Sequence, residues 1–155
     1  MKKRAGFTLI ELLIVMAIIA ALMAVLIPTA TGAMRKARAT RIAVQLRNFE
    51  QGVEQYILAT LPSEPKNAGE LTSPSSGDII EAGFAESVDG LILTLVATPS
   101  EDKIGIQITY NAPDKYIAEL IKGSLSETFS GGSQGTITVN DKVITITKDI
   151  EAFWW

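Results

Sequence analysis

The chain has 155 residues, enough for one helical stem and one small domain rather than two folded domains. It contains neither cysteine nor histidine, which excludes disulfides, thiolate metal sites and thiol nucleophiles, and removes the usual general base near neutral pH. Its formal charge of −3 is unevenly placed: residues 7–47 carry Arg35, Lys36, Arg38, Arg41 and Arg47 against Glu11 alone, whereas residues 48–155 carry six basic and sixteen acidic side chains. A basic stem therefore joins an acidic head, no grouping of residues suggests catalysis, and no cofactor is expected.

The first element is apolar. Lys2, Lys3 and Arg4 precede a run from Phe7 to Ile27, 21 residues in which Glu11 is the one charge. As a helix rising about 1.5 Å per residue, this run is long enough to cross a hydrocarbon core about 30 Å thick. A carboxylate at that depth costs about 2.5–3.5 kcal/mol on insertion scales, so Glu11 is expected to mark function through a partner. The count of basic residues on either side of the span does not decide its orientation.

Read together, Lys2-Lys3-Arg4-Ala5-Gly6-Phe7-Thr8-Leu9-Ile10-Glu11 resembles the leader and cleavage site of the type IV prepilins. The shared features are a short basic leader, a glycine before the cut, a phenylalanine as the new first residue, a glutamate four residues later and a long apolar run ending near Pro28. The motif covers about the first fifth of the chain, and major pilins, minor pilins, type II secretion pseudopilins and competence pilins all share it. The resemblance implies that prepilin peptidase cuts between Gly6 and Phe7 and methylates the Phe7 amine. It also implies a cytoplasmic leader, an external C-terminal bulk, and assembly by inner-membrane machinery into a helical homopolymer. Glu11 of an incoming copy would pair with the Phe7 amine of one already in the filament, and residues 7–27 would pass from lipid into the filament core. Loss of the three leader charges takes the formal charge from −3 to −6. The expected organisation is a leader 1–6, a long helix 7–61 and a globular head 62–155. Two other classes remain open on the residues alone: a secretory signal cut after Ala33, at Thr31-Gly32-Ala33, and an uncleaved membrane tether.

Pro28 removes one backbone donor and is expected to kink or loosen the helix, with Gly32 nearby, without ending it. Ile42, Leu46, Phe49, Val53, Tyr56 and Ile57 then recur at three- and four-residue steps, with Arg41, Arg47, Asn48, Glu50, Gln51, Glu54 and Gln55 on the other faces. This second half reads as amphipathic and ends at Pro62 and Pro65. The stripe Arg35, Lys36, Arg38, Arg41 and Arg47 is either the polar face of a helix leaving the membrane or a set of contacts to acidic groups of neighbouring heads. Nucleic acid is not expected as a partner, because assembly should bury these positions.

Residues 61–78 read as a surface loop and residues 78–84 as one or two helical turns. Leu91–Thr98 and the alternating Ile104, Ile106, Ile108 and Tyr110 read as paired strands. Asp114–Lys122 reads as a helix, with Pro113 at its first position, Tyr116, Ile117, Leu120 and Ile121 on one face and Gly123 at its end. A final hairpin turning at Asn140-Asp141 sets Val139 opposite Lys142 and Ile137 opposite Ile144, with Ile137, Val139, Ile144 and Ile146 on one face and threonines on the other. The expectation is an α+β fold: the long helix packed on an antiparallel sheet of about four strands.

Phe153, Trp154 and Trp155 are expected to close the sheet or pack on the stem in place of a disulfide, or else to form a subunit contact. Asp78, Asp89, Glu101, Asp102, Asp141 and Asp149 offer hard oxygen ligands, but no run resembles a calcium loop, and solvated acids are the expectation.

Overall fold

The computed structural model describes residues 6–64, 69–71 and 74–155. Lys2, Lys3 and Arg4 of the leader, Pro65, and part of the loop after Pro62 lie outside the described residues. The chain divides into two compact units, one ending at Ala37 and the other Arg38–Trp155.

A single helix, α1, runs Leu9–Thr60 and contributes to both units. Thr8 starts it as a capping box: the Thr8 backbone N–H and hydroxyl donate to Glu11 Oε2 at 2.8 and 2.7 Å, and the Glu11 N–H donates back to Thr8 Oγ1 at 3.3 Å. Pro28 lies within α1. Thr29 Oγ1 beside it donates to the carbonyls of Val25 and Leu26 at 3.2 and 2.9 Å, the kind of side-chain bond that shields helix carbonyls where water is scarce. Every residue from Gly6 to Arg38 is exposed, and the apolar stretch is long enough to cross a membrane.

In the second unit α1 buries Ala39, Ile42, Ala43, Leu46, Phe49, Glu50, Gly52, Val53 and Ile57, a stripe at three- and four-residue spacing. Against it lies a five-stranded antiparallel sheet in the order β1-β2-β3-β5-β4. The strands are β1 Gly69–Leu71, β2 Leu91–Thr98, β3 Lys103–Asn111, β4 Thr136–Asn140 and β5 Val143–Glu151. All four expected strands are present, and β1 adds a three-residue edge beside β2. Ile104, Ile106, Ile108 and Tyr110 of β3 face α1, as do Ile144, Ile146 and Ile150 of β5. The pairing of β3 with β5 joins the two hairpins into one sheet.

Two short helices complete the head. The first, α2 (Ser76–Glu81), has its own capping box between Ser75 and Asp78, so the helical turns begin two residues earlier than the sequence suggests. The second, α3, runs Lys115–Leu125 with Asp114 as N-cap, its carboxylate accepting from the Ile117 N–H at 2.8 Å. Gly123 lies inside α3 rather than at its end, and Pro113 precedes the cap. Ile117, Ala118, Ile121 and Leu125 form the buried face of α3, whereas Tyr116 is 55% exposed. The hairpin turns at Asp141-Lys142, not Asn140-Asp141, so Val139 pairs with Ile144 and Ile137 with Ile146. Asp141 takes the left-handed conformation the turn needs, at φ 56°. The register differs from the expected one by two residues, an even step that leaves every side chain on its expected face. Gly52 is where α1 meets the turn after α2: a Cβ there would overlap the carbonyl of Phe84.

Candidate assembly site

The N-terminal candidates lie together in sequence and in space. Gly6 and Phe7 are exposed, Phe7 at 87%, and Glu11 sits one turn into the helix, in hydrogen bonds with Thr8. No charged residue within the apolar run answers Glu11. The structure supplies a partner in Thr8, and the signal was legible: a threonine three residues before a glutamate at the head of an apolar run is a capping signature. A negative side chain in the first turn also meets the positive end of the helix dipole.

The residues of the basic stripe fall in both units. Arg35 and Lys36 belong to the first unit, and Arg38, Arg41 and Arg47 to the second. Arg38 and Arg41 line a cleft of about 480 Å³ with Gln45, Asp89, Tyr110 and Asn111. Burial pushes the Tyr110 hydroxyl above its ordinary range, opposed by the Arg38 guanidinium and assisted by Asp89. Arg47 lines a different depression, with Glu50, Glu54, Glu127 and Lys148.

That depression holds a buried ionic clamp. Lys148 on β5 reaches Glu50 Oε1 at 2.8 Å and Glu54 Oε2 at 2.6 Å, one turn apart on α1. Glu50 is only 3% exposed, and desolvation raises its carboxyl pKa despite the hydrogen bond and charge of Lys148. Burial pulls the Lys148 ammonium down, but its close contacts with both glutamates outweigh that and leave it raised. The spacing of the apolar residues places Glu50 on a polar face, because nothing local signals a partner almost a hundred residues away.

The C-terminus makes a second tie. The indole N–H groups of Trp154 and Trp155 both donate to the carbonyl of Pro62 at 2.9 Å, just beyond α1, and the two rings meet edge-on at 6.4 Å. Phe153 packs edge-on against Trp154 but is 77% exposed. The tryptophans thus pack at the end of the stem. Asp78 and Asp114 cap helices, and among the described residues no three acidic side chains are grouped as metal ligands.

A family described as the prokaryotic N-terminal methylation motif matches residues 1–27. A stretch of 56 residues is 48% identical to the type IV wide pilus major component PilA4 of Thermus thermophilus, covering 36% of this chain and 43% of that protein. The match thus spans less than half the length of that relative. No solved structure matches the chain. In its N-terminal motif and this shared stretch, the chain is similar to the type IV pilins.

Proposed function

We propose that the chain is a structural subunit of a type IV pilus, made as a single-pass prepilin of the cytoplasmic membrane, cut after Gly6 by prepilin peptidase and methylated on the Phe7 amine. It then polymerises through α1 into an extracellular filament. The observation that carries this is the run Phe7–Ile27, wholly exposed and apolar except for Thr8 and a glutamate in its first turn. Such a surface needs lipid or other copies around it. Cleavage creates a cationic amine one turn below Glu11, and in low dielectric two such charges are each costly alone and attractive together. The pairing of Glu11 in one copy with the Phe7 amine of another sets the stagger, the Thr8 hydrogen bonds hold the carboxylate until then, and Pro28 gives the packed helix local freedom.

Surface pilus is preferred to type II secretion pseudopilin because the relative's own description is that of a major pilus component. Mass spectrometry of the chain from cells tests the processing: N-methyl-Phe7 is expected, Met34 at the N-terminus would indicate a secretory protein cut after Ala33, and an intact leader a tether. Glu11→Ala is expected to leave the chain cleaved and membrane-bound while sheared filaments become scarce. Normal filament yield from that variant would sink the role given to Glu11.

A further inference from the structure

The head carries opposite charges at its two ends. At one end lies the Arg38–Arg41 cleft, where two arginines face one aspartate, Asp89, and neither arginine has an ion-pair partner among the described residues. At the other end, the β2–β3 turn and the last residues of β5 gather Glu101, Asp102, Asp149 and Glu151, all exposed, near Lys103, while Lys148 beside them is engaged with Glu50 and Glu54. Lys103 pairs with Glu101 at 3.0 Å and lies across from Glu151 in the strand register. One strand connects the two ends: β3 begins at Lys103 beside the acids and finishes at Tyr110 and Asn111 in the wall of the cleft. At about 3.4 Å per residue, the ends lie about 27 Å apart.

We propose that the acidic end of one copy docks at the Arg38–Arg41 cleft of the next. The occupant is a second copy of this chain, on two grounds: the complementary charge lies on the chain itself, and the two patches are too far apart to meet within one molecule. Because the patches differ, the contact is heterologous and repeats without closing, which generates a filament rather than a dimer. It sorts the stripe into working parts: Arg38 and Arg41 meet the neighbour, whereas Arg47 lines the depression that holds the internal clamp. Charge at the two ends guides the approach and rejects reversed docking, which brings like ends together.

This rests on the pilus reading, and the full-length chain tests both separately. The chain has no cysteine, so Arg41→Cys with Glu101→Cys introduces the only thiols. Within one copy they lie far beyond the roughly 7 Å Cα separation a disulfide tolerates. Mild oxidation of sheared filaments is expected to give a reducible ladder of multimers of the chain mass from the double variant and monomer from each single variant. In parallel, Arg38→Glu/Arg41→Glu and Glu101→Lys/Glu151→Lys are each expected to lower filament yield about tenfold or more, and the combined exchange to restore it. Either the ladder or the rescue supports the contact. Neither, in cells whose wild-type chain forms filaments, overturns it, as do products that stop at dimers or bands that are not multiples of the chain mass. Absence of wild-type filaments overturns the pilus reading instead.

Discussion

Glu50 shows how one side chain carries more than its position in the sequence announces. It is flanked by Phe49 and followed by Val53, both buried, and its charge is answered chiefly from β5, with a lesser contribution from Arg47. Removing the answering charge is therefore worse than removing the pair. Lys148→Met is expected to cost about 3–5 kcal/mol in denaturant unfolding of the chain in detergent, and adding Glu50→Leu to recover most of it. A cost below about 1 kcal/mol for Lys148→Met would show the clamp to be solvated. The raised Glu50 pKa has a definite sign. Folded Glu50 holds its proton more tightly than the unfolded chain, so its contribution to stability falls as pH rises from about 4.3 through the folded value. Compared with Glu50→Gln, which cannot titrate, wild type is expected to gain stability as pH is lowered from 7 towards 4.3. Arg47, Glu54 and Lys148 remain in both proteins, so a difference that stays flat with pH removes the burial argument.

At the scale of elements, periodicity located nearly everything and punctuation was harder to read. The strands at Leu91–Thr98 and Ile104–Tyr110 were legible because alternation extends over their whole length. The last hairpin was legible by face but not by register, since Asn140-Asp141 and Asp141-Lys142 both make plausible two-residue turns and differ by an even step. The end of α3 was misplaced because glycine is so often a helix terminator, whereas here Leu125 supplies one more buried contact beyond it. The two placements of Gly123 predict opposite outcomes. As a left-handed terminator it would resist a Cβ; inside α3, with nothing within 4 Å of the added carbon, Gly123→Ala is expected to stabilise by about 0.5–1 kcal/mol. Thermal melts of the two chains decide it, and a lowered midpoint would return the helix end to Gly123.

Over the whole molecule, the hydrophobic core draws on only one part of the long helix. No described residue before Ala39 is buried, and every member of the hydrophobic core lies from Ala39 onward. The sequence marked the apolar half and the amphipathic half of the helix by composition. It did not show that the second half belongs with the sheet, because that depends on which α1 side chains the strands reach: Leu46, Phe49, Val53 and Ile57 are closed over by β3 and β5. If the first half adds nothing to that core, removing residues 1–34 should leave a soluble chain without unfolding it. Arg35–Trp155 is expected to stay monomeric without detergent and to unfold cooperatively, with a midpoint within about 5 °C of the full chain in detergent, a difference of roughly 1 kcal/mol for a domain of this size. The truncated chain loses Phe7, Glu11 and the apolar run, so it is expected to form no filament. A larger drop in the midpoint would mean that the helix before Arg35 supports the head.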